Sequence, residues 1–222
     1  SPYAVMSPPD SPIRTLEDFA DKTIALTEAT RPLLVPLLED AGVDPDSVTF
    51  VPAGPDPSQL ANEQVNGYFG YPTAQGVSLD QQGVEFVATY VNDLGLPSYG
   101  NVLITRPEAL ENDFDTLVSF LRGSIKGWEY SLANPEEMGR LVATKYGPEG
   151  LNVESEIATH HVQTPLIENP NGVLLIDEAT MAEIVETSAR VGTISKELPM
   201  DEVMTTAVLE EAYGGKSSLL NT

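Results

Sequence analysis

The 222-residue sequence contains no cysteine. Disulfides, thiol nucleophiles and thiolate metal sites are therefore excluded together. Positive charge is scarce: 11 Lys and Arg stand against 34 Asp and Glu, for a net charge of -23. That balance argues against nucleic acid or an anionic membrane surface as a partner. The acidic residues are scattered rather than run together, which reads as a solvated surface suited to a salt-tolerant or exported protein. No apolar run reaches the roughly 20 residues that a membrane-spanning helix needs. Histidine is confined to His160 and His161. Neighbours on a helix point about 100° apart, whereas a two-histidine metal site wants i, i+4 spacing. No metal site and no cofactor is expected. The G-x-S-x-G, H-E-x-x-H and Walker lysine patterns are absent as well. Gly214-Gly215-Lys216-Ser217 echoes the tail of a P-loop, but no buried strand leads into it. With 34 carboxylates, chance pairs are unavoidable, so a glycosidase-type dyad stays open without being indicated.

What is present is a core-forming chain, 41% hydrophobic, long enough for one large domain or two small ones. It opens directly on Ser1-Pro2-Tyr3-Ala4-Val5-Met6, as a mature or trimmed product would. Its first half alternates short strands with short helices. Strands are expected at 3–6, 23–26, 48–51, 68–71 and 84–90, with helices at 31–41, from 56 or 58 to 64, and at 74–81. Thr15 and Asp18 are spaced as a capping box, and Gly42 ends the helix that Pro36 threatens to kink. Such alternation predicts a parallel or mixed sheet covered on both faces. Residues 101–105, Asn-Val-Leu-Ile-Thr, read as one more strand. Beyond them the character turns helical, at 114–132, 136–146, 152 to just before Pro165, 178–191 (capped by Asp177) and from Pro199 to Tyr213. The end from Gly214 reads as frayed.

The most pointed stretch is Asn66-Gly67-Tyr68-Phe69-Gly70-Tyr71-Pro72-Thr73, with three aromatics and two glycines in six residues. Tyr68 and Phe69 alternate on a strand, so one is expected on each face of the sheet. Gly70 and Pro72 mark a strand end where something can approach the backbone closely. In open α/β sheets ligands bind beyond the carboxyl ends of strands. The loops Thr27-Glu28-Ala29-Thr30, Ala53-Gly54-Pro55-Asp56, Tyr71-Pro72-Thr73 and Tyr90-Val91-Asn92-Asp93 would then share one rim. An aromatic core strand with a plain turn explains the same residues, and a bare turn explains Asn92-Asp93.

Residues 11–26, from Ser11-Pro12-Ile13-Arg14 through Asp18-Phe19-Ala20-Asp21-Lys22 to Ala25-Leu26, resemble the "I-x-x-P/L-x-D-L-x-G-K-x-I" lead-in to the second lobe of periplasmic-type solute-binding proteins. Asp21 stands where that pattern usually has glycine. Asn66 to Tyr71 looks like the family's "V-D-A/G" strand, and 99–105 like its return strand to the first lobe. Phe120-Leu121-Arg122-Gly123-Ser124-Ile125-Lys126-Gly127-Trp128-Glu129-Tyr130 and Asn134-Pro135-Glu136-Glu137 are similar to the "F-L-R-A-x-x-x-G-W-x-Y/A…N-P-E-E-A" helices of the NMT1/THI5-like branch, which also relates to alkanesulfonate-binding proteins. The likeness runs from about residue 3 to Tyr213.

The resemblance implies an α/β fold, a two-lobed type II periplasmic-binding-protein architecture. Residues 9–97 would form lobe two; 1–8 and 98–222 would supply hinge strands and the helical part of lobe one. A segment building the first half of lobe one would precede Ser1. The implied function is capture of a small solute by an extracytoplasmic protein, periplasmic or lipid-anchored. That protein would be monomeric, would deliver to an ABC permease in the membrane, and would perform no catalysis. A flat heterocycle, a thiamine-precursor pyrimidine or a flavin-like compound, would stack on Tyr71 and Tyr90. Thr73, Asn92, Asp93, Glu28 and Thr30 would read its polar edge, with Tyr99 beside them. An alkanesulfonate or nitrate would want cations instead; of Arg14, Lys22 and Arg31, only Arg31 lies near a rim loop. A pyrimidine-biosynthesis enzyme of the THI5 type would need a histidine- and cysteine-bearing site, which this chain lacks. An effector domain of a regulator would bring a DNA-binding segment that the sequence does not contain.

Overall fold

The computed structural model describes residues 1–220 and divides them into two compact units. The first comprises Ser1–Gly100 with Ala182–Glu197, the second Asn101–Met181 with the described residues from Leu198 onward.

The first unit is built on one five-stranded sheet of order β3-β2-β4-β1-β5. Its strands are β1 Ala4–Ser7, β2 Thr23–Leu26, β3 Thr49–Pro52, β4 Gly67–Gly70 and β5 Val87–Tyr90. β2 lies parallel to β3 and β4, while β1 is inserted antiparallel to both β4 and β5. The sheet is thus mixed, and both faces are covered, as the alternating pattern requires. Helix α1, Arg31–Asp40, seals one face with Leu34 and Leu38 against Val5, Ile24, Phe69 and Phe19. Short α2, Ser58–Ala61, and α3, Val77–Gln81, seal the other with Leu60 and Leu79 against Met6, Ala25 and Tyr68. Phe69 and Tyr68 therefore do fall on opposite faces. Gly67 permits this packing, since a Cβ there would come within 2.7 Å of Ile13 and 2.9 Å of Ile24. Pro36 sits inside α1 without ending it.

The capping-box spacing is realised in a shorter form. The Asp18 carboxylate accepts the N–H groups of Arg14 and Thr15 at 2.9 and 3.0 Å, and a single 3-10 turn follows at Glu17–Phe19. These bonds hold the Asp18 carboxyl below its usual range. Asp21 adopts φ 59°, a left-handed conformation that favours glycine and that aspartate tolerates better than most residues.

The second unit is helical. It contains α4 Pro107–Asn112, α5 Phe114–Ala133, α6 Pro135–Leu141, α7 Val153–Ile167, the start of α8 Glu178–Arg190, then α9 Met200–Val203 and α10 Ala207–Tyr213. The boundary between the units falls within α8. Val118 and Ile125 of α5 pack with Val173, Val208, Ala212, Tyr213 and Leu219. Gly139 brings α6 against α7: a Cβ there would meet the Ile157 backbone at 2.6 Å.

Several expectations are corrected here. Residues 101–105 form no strand. A strand needs a neighbour, and none pairs with them among the described residues, so Val102, Leu103 and Ile104 stand exposed. Helix α7 runs past Pro165 to Ile167 rather than stopping before it. Proline there removes one N–H donor, but Glu168 N–H still reaches the Thr164 carbonyl at 2.9 Å. The helix expected from 136 continues beyond Leu141 as a π-turn, Val142–Tyr146. The last helix is two, separated where Met204 is extended. The end after Gly214 is tied down: Leu219 is buried, and its N–H donates to the Glu129 carboxylate at 2.9 and 3.1 Å. Residues 221–222 lie outside the described part.

Candidate functional site

The strand directions set one rim of the first unit. The carboxyl ends of β2, β3, β4 and β5 all meet there, joined by the amino end of β1, because β1 alone runs the other way. The order along the rim follows the sheet: the loop after β3, the Thr27–Thr30 loop after β2, Tyr71 after β4, Tyr3 before β1, then Tyr90 and Asn92 at β5.

Tyr71 is the central feature. Two residues beyond Phe69, it falls on the same sheet face, but one step past the core. It is 44% exposed. Its N–H donates to Gln75 Oε1 at 2.9 Å, and Gln75 Nε2 donates to the Pro55 carbonyl at 3.3 Å. The loop after β4 is thereby laced to the loop after β3. Thr73 lies in the π-turn Pro72–Gly76 that follows. The close approach expected at Gly70 comes from the protein itself: a Cβ there would meet Tyr68 at 3.0 Å, Gln75 Oε1 at 3.1 Å and Met6 at 3.1 Å.

Tyr3 is the residue that sequence reasoning missed. Ala4 pairs with Gly70 in the antiparallel ladder, so Tyr3 falls opposite Tyr71. Its ring centroid lies 5.1 Å from that of Tyr71 and 5.7 Å from that of Phe69, and Phe69 in turn stacks on Phe19 at 6.1 Å. A file of aromatic rings therefore leads from the buried core to the exposed rim. The Tyr3 hydroxyl shares a 2.8 Å hydrogen bond with Thr30 Oγ1, which shares a 3.0 Å bond with Thr27 Oγ1. Burial pushes the Tyr3 hydroxyl above its ordinary pKa, although the Thr30 and Thr27 hydroxyls oppose that shift.

Thr30 itself is buried, and its hydroxyl is engaged in that internal chain. Glu28 is exposed in the same loop. Arg31 opens α1 with its guanidinium 5.2 Å over the Phe50 ring. Tyr90 closes β5 half-buried, and Asn92 and Asp93 follow it, exposed, in a turn where Asp93 N–H donates to the Tyr90 carbonyl. Ser98 Oγ donates to Asn92 Oδ1 at 3.5 Å. Tyr99 is half-buried beside it in the chain.

These residues do not form one cluster. Neighbouring strands are about 4.8 Å apart, so β2 and β5 lie on the order of 14 Å from each other. Thr30, Glu28, Tyr71 and Thr73 group around β2 and β4; Tyr90, Asn92, Asp93 and Tyr99 group at β5. A single six-membered ring reaches one group. His160 takes no part: it is buried in α7 of the other unit, Nδ1 bonded to the Glu156 carbonyl at 2.9 Å. Among the described residues no group of three His, Asp or Glu side chains is placed to hold a metal ion.

The first unit is a mixed α/β sheet sealed by helices on both faces, with an aromatic rim at its strand ends, and the fold of the chain is that of type II periplasmic binding proteins. Solved structures share it. The ligand-binding component of an ABC-type import system from Staphylococcus aureus, determined with zinc bound, superposes with a TM-score of 0.61 at 14% identity, over 95% of this chain and 70% of that one. The periplasmic aliphatic sulphonate binding protein SsuA from Escherichia coli gives 0.60 at 15%, over 91% and 65%. The fold also serves catalysis: the desulfurization enzyme DszB gives 0.55 at 13%, over 96% and 76%.

The chain belongs to the NMT1/THI5-like family, whose model matches residues 1–138. A formylaminopyrimidine-binding protein of Halalkalibacterium halodurans is 26% identical over 148 residues, 64% of this chain and 44% of that protein. The chain thus spans less than half the length of this curated relative.

Proposed function

We propose that this chain is the solute-binding part of an ABC importer, and that the rim around Tyr71 is one wall of its ligand site. One observation carries the reading. Tyr71 is the one exposed large apolar side chain of the first unit among the described residues, and it stands at the strand ends where α/β sheets bind ligands. A half-exposed ring held by a laced loop is a ready stacking surface, and each such contact contributes on the order of 1 kcal/mol.

The ligand class that fits is a small flat heterocycle, an aminopyrimidine first. Thr73 and Gln75 of the loop after β4 and Thr27 of the loop after β2 would read its polar edge, and Glu28 would take an amino group. The formylaminopyrimidine-binding relative supports this choice. Tyr90, Asn92, Asp93 and Tyr99 would contact a larger ligand or a second substituent, and Thr30 would act from beneath the surface. Residues 9–97 would serve as the ligand-binding lobe, with 1–8 and 98–222 supplying hinge strands and the helical part of the other. The protein would act outside the cytoplasm as a monomer, hand its ligand to a membrane permease, and catalyse nothing.

A second reading takes an alkanesulfonate, and Arg31 favours it as the exposed cation beside the Thr27–Thr30 loop. A thermal-shift panel of formylaminopyrimidine, a flavin, ethanesulfonate and nitrate separates the two. Stabilisation by the pyrimidine is expected; stabilisation by the sulfonate alone would overturn the heterocycle reading.

A further inference from the structure

The rim holds one aromatic side chain whose role goes beyond the ligand-stacking assigned to Tyr71. Tyr3 falls opposite Tyr71 one step beyond the Ala4–Gly70 pair that ends the β1–β4 ladder, and its ring centroid lies 5.1 Å from that of the exposed ring, at a 51° tilt. On its inner side the same ring rests on Phe69 at 5.7 Å. Its side chain leaves β1 and leans across the end of β4 to reach the loop after β2, where its hydroxyl meets Thr30 Oγ1 at 2.8 Å. Thr30 is 6% exposed and is held in turn by Thr27 at 3.0 Å. The ring is thus fixed at three points: by the core below, by the strand at its base and by a buried hydroxyl at its tip.

An exposed tyrosine without such support samples several rotamers, and ordering it on binding costs side-chain entropy. Support beforehand removes that cost and fixes which face is offered. We infer that Tyr3 is the positioning residue of the rim site: its ring, locked through Thr30, holds Tyr71 in the one orientation that presents a face to a planar ligand. The selectivity for flat rings over non-planar solutes then resides in the Tyr3–Tyr71 pair rather than in Tyr71 alone. This rests on the rim being the ligand wall, but the positioning itself is measurable without ligand.

The test uses the 222-residue protein with Tyr3→Phe, Tyr3→Leu and Thr30→Val, each checked for folding by circular dichroism. The first arm is NMR of the Tyr71 ring, assigned by difference against Tyr71→Phe. Its signals are expected upfield of those of an unstructured tyrosine, from the ring current of Tyr3. Tyr3→Phe, which keeps the ring but loses the bond to Thr30, is expected to reduce the shift and broaden the signals as Thr30→Val does, and Tyr3→Leu collapses it. Tyr71 signals unchanged in Tyr3→Leu would overturn the inference, whatever the protein binds. Should Tyr3→Leu fail to fold, Thr30→Val decides: it leaves both rings in place, and an unmoved, equally sharp Tyr71 ring would overturn the lock through Thr30. The second arm titrates formylaminopyrimidine. Tyr3→Leu is expected to weaken binding about tenfold, the ratio set by an aromatic contact of this kind, with only part of the loss restored in Tyr3→Phe, which keeps the ring but not the bond to Thr30. A folded Tyr3→Leu protein that binds the pyrimidine as the unaltered one does would also overturn it. If the unaltered protein binds no aminopyrimidine, the ligand reading falls, and the NMR arm alone decides the role of Tyr3.

Discussion

The two units differ most in what they leave uncovered. In the first, a sheet sealed on both faces leaves its large apolar side chains buried or half-buried, and Tyr71 is the exposed exception among the described residues. In the second, Val102, Leu103, Ile104, Phe120, Tyr146 and others stand exposed on a helical scaffold. The same property therefore means different things. One exposed ring on a well-packed unit, at the strand ends and laced in place by Gln75, is a feature to explain by function. Diffuse exposure across irregular segments and helix surfaces does not single out a site.

The largest effect should come from breaking the first unit's core. Phe69→Ala removes a 3% exposed ring that links Phe19 to Tyr3, and a loss of about 3–5 kcal/mol is expected in urea denaturation. Phe120→Ala, on a 60% exposed ring of the second unit, should stay within about 0.5 kcal/mol. Equal losses would erase the contrast between the units. The second unit has its own tight point in Gly139. Gly139→Ala places a Cβ 2.6 Å from the Ile157 backbone and should cost about 1–3 kcal/mol, read by the helical signal of circular dichroism on heating. A neutral result would mean that α6 and α7 are not closely packed.

Smaller effects sharpen the account of the first unit. Asp21→Gly relieves a φ of 59° and should stabilise by about 0.5 kcal/mol; a destabilised variant would contradict the strained turn. Asp18 gives a pH signature. Its carboxyl is depressed by the Arg14 and then the Thr15 N–H groups, so its contribution is present above the ordinary carboxylate range and lost as pH falls through the lowered pKa. Asp18→Asn should therefore be slightly less stable than the unaltered protein at neutral pH, with the gap closing in acid. The exposed position keeps the effect small.

What could be read from the residues alone was local. The alternation of Tyr68 and Phe69 announced the two covered faces, and the βα rhythm announced where the strand ends gather. Asp21 stands where the resembled pattern has glycine, and its φ of 59° is a conformation that glycine favours. What could not be read was non-local. The antiparallel insertion of β1 between β4 and β5 depends on pairing across more than sixty positions of chain, and only that register sets Tyr3 against Tyr71. Thr30 looked like a rim hydroxyl, but its burial follows from where the Tyr3 side chain reaches. Residues 101–105 have strand chemistry without a strand neighbour, and chemistry alone cannot say whether a partner is at hand. Pro165 looked like a stop, yet a proline removes one bond and the rest of α7 carries past it.

The central claim is that Tyr71 is exposed for binding rather than for lack of packing. Isothermal titration of formylaminopyrimidine against the unaltered chain and Tyr71→Ser, with urea denaturation of both, tests it most directly. The account predicts a loss of stability no greater than that of the Tyr3–Tyr71 ring contact, about 0.5–1.5 kcal/mol, and affinity weakened about tenfold or more. Unchanged affinity together with a marked loss of stability would show Tyr71 to be part of the core and would contradict the claim.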